Sequence, residues 1–311
     1  MPDTPPSIVV VGGANYDYLA RGPKLPAPGD TVEGDLVDDA PGGKGANQAV
    51  AAARLGARVT FVGRIGQDER GDRVLAAFHR DQVDTTRVIR DPTAPTGVAL
   101  VQVDGSGQKQ ILAVGGANRR LTPDDVQAAA QVIAAADLLL IQLEVPLDAV
   151  RTAVQLAHKA KVKVLLDPAP PIPLPDELLR LVDAIKPNSG EAKVLTGIDV
   201  RDHRSAHAAA ADLLRRGVRA VAIAAGQEGI LAMWQGGELW LPRVPVKSID
   251  ATGAGDAFAA ALGVALAEGR SFAEASSFAN AAAALATTIV GAQAALPFRD
   301  AVIALQKQNA A

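Results

Sequence analysis

The chain has 311 residues, and its 31 lysines and arginines against 34 aspartates and glutamates leave a formal charge of -3. That balance offers no electrostatic reason for a nucleic-acid partner, and the absence of cysteine excludes disulfides and thiol chemistry. Hydrophobic residues make up 49%, enough to bury the core of one large domain, alone or with an appendage.

The N-terminal "MPDTPPSIVVVGG" has no basic region and only a short apolar run. No signal peptide is expected, and the lack of cysteine permits a cytoplasmic location. Short apolar runs then recur at "SIVVV" (7–11), "RVTFVG" (58–63), "LLLIQLE" (138–144), "VKVLLDP" (162–168), "DAIKPN" (183–188) and "AVAIAAG" (220–226). Runs of this kind read as strands buried on both faces, as in a parallel sheet. Helical patterns at 45–55, 122–135, 147–160 and 204–216 lie between them, and alternation predicts a doubly wound α/β fold with helices on both faces. Two stretches break the alternation. Residues 17–40 hold short extended pieces such as "DTVEG", and 96–115 read as two alternating strands about a Gly-rich turn. They are expected to pair into a small β sheet, either a lid or a decorated edge. The division expected is an α/β domain of residues 1–16, 41–95 and 116–311, with 17–40 and 96–115 as the lid. After residue 250 the chain is mostly helical. Its most apolar part, "FANAAAALATTIVGAQAAL", carries Asn280, two threonines and Gln293, which suits an internal helix and not a membrane span.

The chemistry concentrates in "DATGAGDAFAAAL", Asp250 to Leu262. A helix start leaves backbone N–H groups without partners and gathers partial positive charge, and glycines let an anion approach closely. Gly253, Ala254 and Gly255 therefore form a plausible anion cradle. It is not the Walker pattern, and alone it also reads as a capped helix end. Asp256 sits where a carboxylate is easily kept ionised, ready to take the proton of a hydroxyl that attacks a γ-phosphate. The four histidines, His79, His158, His203 and His207, show no metal-binding spacing and read as surface residues.

This loop, with "GGKGANQA" (42–49) and "KPNSGEAKVLTG" (186–197), resembles the ribokinase-like family of sugar and nucleoside kinases. The resemblance extends over nearly the full length through "GGANYD", "PAPGDTVEG", "IQLEVPL", "LLDPAP", "PDELLRLVD" and "GAQAALP". It implies a Rossmann-like α/β domain with a small β lid that commonly forms a homodimer contact. It also implies transfer of the ATP γ-phosphate to the 5-hydroxyl of D-ribose; deoxyribose, another sugar or a nucleoside is the alternative, and a non-catalytic sugar-binding regulator the more distant one.

By the same resemblance Asp256 matches the catalytic base, and Gly253, Ala254 and Gly255 the anion hole. Asn15, Asp17, Gly43, Asn47 and Glu144 match sugar-holding positions, and short carboxylates and amides suit the paired hydrogen bonds that hydroxyls require. Lys44 is expected to face either solvent or phosphate, and Glu144 to hold sugar or cap the helix before Pro146. Asn188 and Glu191 match an N-x-x-E pattern that holds Mg²⁺ through water, although the same pair reads as an N-cap with an acid in the first turn. Ala224, Gly226 and Gly229 match the nucleotide loop, and Ala224 stands where a hydroxyl residue is often found. Asn280 matches a contact to adenine or its ribose, or is a satisfied amide in an alanine helix. A K⁺ site is implied at Asp250 and Thr252, with the carbonyls of Ala286, Ile289 and Gly291. Ala295 replaces a serine common in relatives, which should weaken that site.

Overall fold

In a computed structural model that describes residues 4–310, the strands are β1 (Ser7–Val11), β2 (Asn15–Arg21), β3 (Leu36–Gly42), β4 (Arg58–Gly66), β5 (Asp84–Asp91), β6 (Gly97–Val103), β7 (Lys109–Val114), β8 (Leu138–Ile141), β9 (Lys163–Leu166), β10 (Ala184–Ile185), β11 (Ala220–Ala224), β12 (Ile230–Trp234) and β13 (Gly237–Leu241). The helices are α1 (Lys44–Arg54), α2 (Glu69–Arg80), α3 (Pro123–Gln127), α4 (Ala130–Ala134), α5 (Leu147–Lys159), α6 (Asp176–Leu179), α7 (Ser189–Thr196), α8 (His203–Arg215), α9 (Ala254–Ala267), α10 (Phe272–Ala286), α11 (Ala292–Ala295) and α12 (Arg299–Ala310).

The main sheet runs β13-β12-β11-β10-β9-β8-β1-β4-β5. From β11 to β5 all pairings are parallel; β12 and β13 add an antiparallel hairpin at one edge. Successive residues of the central strands face opposite layers. Ile8, Val10 and Phe61 pack with α1, α9 and α10, whereas Val9, Val11 and Val62 pack with α5 and α8. The six apolar runs in the sequence are the six adjacent strands from β11 to β4. The strands of this sheet that pattern reading missed, β5 ("DTTRVIRD"), β12 and β13, lie at or next to its edges and are only partly buried. The single helix expected over 122–135 is two short ones, α3 and α4, broken at Ala128–Ala129.

A separate sheet runs β3-β2-β6-β7, with β2 and β6 parallel and the outer pairs antiparallel. "DTVEG" (30–34) is not one of its strands; it lies in the connection before β3, which begins at Leu36. The chain crosses between the sheets twice within a few residues: from Val11 to Asn15, and from Gly42 to Lys44. Those crossings set side chains at the carboxyl ends of the parallel strands, where ligands gather in α/β sheets. All four histidines are exposed. No helix among the described residues is long and apolar enough to cross a membrane.

Candidate active site

At the crossings, β2 brings Asn15 and Asp17 against the start of α1. Asp17 leaves no room for a side chain at Gly42, where a Cβ would fall 2.0 Å from its Oδ2. Glu144 lies just past β8, and its carboxylate accepts the Lys44 backbone N–H at 2.7 Å. It therefore caps α1, which starts 100 residues away, and not its own neighbour α5, whose N-cap is Pro146. Asn15 is held by Asn118, which donates to its side-chain oxygen at 2.8 Å and to the Ala14 carbonyl at 3.1 Å. Burial, and then the charge of Asp256, pushes the Asp17 carboxyl up to about 7. Burial also pushes Glu144 up to about 7, against the pull of Lys44. Removing these carboxylates from water disfavours their charged form.

Asp256 is the third residue of α9, within its first turn, and is only 6% exposed. Asn47 donates to its Oδ2 and Gln48 to its Oδ1, each at 3.0 Å. Gln48 also donates to Asp167 at 2.7 Å. Lys186 lies 3.5 Å from Asp167 and donates to the Gly255 carbonyl at 3.2 Å. Burial alone would push the Lys44 ammonium down, but Asp256, Asp167, Glu144 and Glu191 hold it above the ordinary lysine range. It is not the freely solvated lysine that a helix start would allow. Side-chain oxygens of Asp17, Asn47 and Asp167 here are buried with no hydrogen-bond partner. Buried polar atoms are normally paired, so these three oxygens are exceptions, and that of Asp167 still faces Lys186 at 3.5 Å.

A cavity of about 370 Å³ opens beside Asp256. Lys44, Lys186, Asn188, Glu191, Gly253 and Gly255 line its polar side, and Ala222, Ala224, Ile230, Phe258 and Ala283 its apolar side. Asn188 and Glu191 form a full capping box: Asn188 accepts the Glu191 N–H at 2.9 Å, and Glu191 accepts the Asn188 N–H and side-chain amide, both at 2.8 Å. The N-cap reading is thus correct as geometry. A carboxylate has about four lone-pair sites, so the box leaves Glu191 capacity toward the cavity. Burial and the neighbouring Asp167 raise its pKa. The turn Gly226–Glu228 and Gly229 hang between Ala224 and Ile230 at the cavity edge. Asn280 is buried, and its amide donates to the Pro242 carbonyl at 2.9 Å. It does not line the cavity; Ala283, one turn on, does.

Outside the cavity, Asp250 accepts from the Thr252 hydroxyl at 2.7 Å, the Thr252 N–H at 3.0 Å and the Gly291 N–H at 3.0 Å. The separate sheet supplies Lys109, whose ammonium sits 2.6 Å from Asp250 and also bonds Thr252. Burial opposes ionisation of Asp250, but Lys109, Gly291 and Thr252 hold it below the usual carboxylate range. Two oxygen-bearing side chains, Asp250 and Thr252, thus converge on one tethered ammonium at this corner.

Residues 5–299 match the family model described as "pfkB family carbohydrate kinase". The chain belongs to that family. Ribokinase from Haemophilus influenzae is 42% identical over 294 residues, 94% of this chain and 96% of that one. Deoxyribokinase from Salmonella typhi is 34% identical over 252 residues, 81% of this chain and 82% of its own. Among solved structures, Arabidopsis thaliana ribokinase complexed with ribose and ATP superposes with a TM-score of 0.89 at 34% identity, covering 98% of this chain and 99% of that one.

The kinase is a phosphotransferase that acts on a sugar hydroxyl. Its fold brings Asp17, Asn47, Lys44 and Glu144 around Asp256, as their sequence motifs suggest. It adds Gln48, Asn118, Asp167 and Lys186, which sequence reading passed over. Two of these carried a usable signal: Asp167 and Lys186 directly follow apolar runs, at the carboxyl ends of strands. Lys109 carried none, because 141 residues separate it from Asp250.

Proposed function

We propose that this kinase transfers the γ-phosphate of ATP to the 5-hydroxyl of D-ribose, giving ribose 5-phosphate and ADP. The observation that carries the proposal is the position of Asp256. It stands between unpaired acid and amide oxygens on one side and a two-lysine cavity at an open helix end on the other. Asp17, Asn15, Asn47, Gly43 and Glu144 hold the sugar hydroxyls, and Asp256 takes the proton as the hydroxyl attacks. The peptide groups at Gly253, Ala254 and Gly255 receive charge on the phosphoryl group, in a phosphoryl transfer that depends on positioning and charge neutralisation. Lys44 and Lys186 add positive charge at the same end. The apolar side of the cavity suits a flat base, with Ala224, Gly226 and Gly229 around the nucleotide. Asn280, bonded to the Pro242 carbonyl, would support that wall from behind Ala283 and not touch the base. Among the described residues no group of three or more His, Asp or Glu could hold a metal directly. Glu191, with Asn188, would hold Mg²⁺ through water, and Mg²⁺ would screen the nucleotide phosphates. The separate sheet is the lid, and its exposed Val37, Ile111, Leu112 and Val114 would be covered by a second copy in a homodimer. ADP release measured over ribose, 2-deoxyribose, hexoses and nucleosides tests the substrate. Ribose should give the highest kcat/KM; a higher value for deoxyribose or a nucleoside rejects it. Sugar binding without ADP release would indicate a regulator.

We extend the proposal to K⁺ at Asp250 and Thr252, with the carbonyls of Ala286, Ile289 and Gly291. Ala295 is buried and offers no hydroxyl. Activation should be weaker than in a serine-bearing relative and should strengthen in Ala295→Ser. Because Lys109 is already at this corner, Lys109→Met should increase the rise in Tm that K⁺ produces over a bulky organic cation. An equal rise in both proteins removes Lys109 from the account.

A further inference from the structure

Two buried glutamines stand behind Asp256, the proposed base. Gln48 lies in α1 and is fully buried. Its Nε2 carries two hydrogens and meets two carboxylates, Asp256 Oδ1 at 3.0 Å and Asp167 Oδ2 at 2.7 Å. Its Oε1 accepts from Gln142 Nε2. A side-chain amide has a donor end and an acceptor end. Two carboxylates require the donor end, and the Gln142 N–H can be accepted only by the other. The carboxylates thus fix which way the Gln48 amide points, and Gln142 braces it from behind by donating to its oxygen, while Gln142 Oε1 is buried with no hydrogen-bond partner. The preceding residue, Asn47, donates to the remaining oxygen of Asp256, so consecutive residues of one helix hold both oxygens of the base. Gln142 is itself fully buried past the end of β8. Its place exists because residue 12 has no side chain: a Cβ there would fall 2.0 Å from Gln142 Oε1.

We propose that Gln48 is a positioning residue for Asp256, and that Gln142 acts on the base through Gln48. The proposal rests on Asp256 being the base. A carboxylate anchored at both oxygens keeps one orientation toward the attacking hydroxyl. A neutral amide provides that anchor without adding a positive charge, which would make the carboxylate a poorer proton acceptor. The same amide reaches Asp167, beside Lys186, which in turn holds the Gly255 carbonyl. One side chain thus links the base to the loop that receives the phosphoryl group. Small displacements of a reacting group cost catalysis, not binding of the separate substrates.

The test compares Gln48→Met, Gln142→Met and the double variant with the parent enzyme and with Asp256→Asn. It records kcat, the KM for ribose and ATP, calorimetric ribose affinity and Tm. Gln48→Met should lower kcat by roughly tenfold to a hundredfold, with both affinities within about twofold of the parent. Gln142→Met should lower kcat by a smaller factor, and the double variant should be no slower than Gln48→Met alone, because one residue acts through the other. If kcat stays within about twofold in both single variants while Tm falls, the glutamines are only structural and the proposal fails. It also fails if the two losses multiply in the double variant, since that marks independent action. If Gln48→Met does not fold, Gln142→Met decides: a kcat loss at unchanged affinity supports the proposal, and full kcat overturns it. Full turnover in Asp256→Asn would instead reject the base assignment on which the proposal stands, an outcome distinct from the others.

Discussion

Two helices, α7 and α9, open on the same cavity and begin in opposite ways. At α7, Asn188 and Glu191 satisfy each other's backbone donors in a complete capping box. At α9, Gly253 is the N-cap, in a left-handed conformation with φ 80°, and no side chain caps the end. Side chains also cap α2, α3, α8 and α10, through Asp68, Thr122, Asp202 and Ser271, whereas α4, α5, α6 and α11 begin, like α9, without such a cap. What sets α9 apart is that its open end lines the cavity. An uncapped end keeps its donors and its partial positive charge for a ligand. A capped end beside it offers a fixed carboxylate. The difference teaches that two helix ends on one cavity offer different chemistry, free backbone donors at α9 and a fixed carboxylate at α7. In the proposed function, phosphoryl charge falls to the first and hydrated Mg²⁺ to the second.

The largest expected effect would break the comparison at α9. Asp256→Asn should lower kcat by about 10²–10⁴ with the fold intact, the usual contribution of a positioned base. Near-normal turnover by a folded variant would mean that the open helix end serves no acid–base step. Next comes Gly253→Ala. A side chain there costs about 1–2 kcal/mol for the left-handed backbone, and its Cβ would also meet the Ala292 carbonyl at 3.1 Å. The variant should lose both stability and kcat, measured by urea unfolding and ADP release; unchanged kcat would detach the loop from the chemistry.

At α7 the expected effect is on stability first. Asn188→Ala should cost about 1 kcal/mol, as loss of an N-cap usually does, and Asn188→Ser, which keeps an oxygen to accept the Glu191 N–H, should cost less. Because the box also orients Glu191, the Mg²⁺ concentration for half-maximal rate should rise in Asn188→Ala. A variant that loses stability but keeps its Mg²⁺ response would reduce α7 to a capped helix like the others.

The smallest effect concerns Asp17, whose carboxyl is raised from the ordinary 3.8 to about 7 by burial and then by Asp256. A folded-state value above the unfolded one means that the folded protein holds the proton more tightly. Its stabilising contribution is complete below the unfolded value and is lost as pH rises through about 7. The unliganded protein should therefore lose Tm between weakly acidic and weakly alkaline pH, and Asp17→Asn should shrink that loss. The slope will not vanish, because Glu144 is raised in the same way. Identical slopes in both proteins would show that Asp17 is not desolvated against Asp256.

Sequence by itself determined the layered α/β architecture and the six central strands. A strand covered on both faces must be apolar along its whole length, and that signal is local. It also determined the two glycine-rich helix starts, since residues without side chains mark backbone that something must approach. Edge strands such as β5, half-exposed and polar, were not legible for the same reason. Tertiary structure alone decided what the named residues do to one another. Nothing local says that Glu144 caps a helix 100 residues away, that Gln48 bridges Asp167 and Asp256, or that Lys109 reaches Asp250 from the other sheet. Hydrogen bonds and charge pairs act over a few ångströms, and the distances between these groups exist only once the strands have paired and set their carboxyl ends side by side.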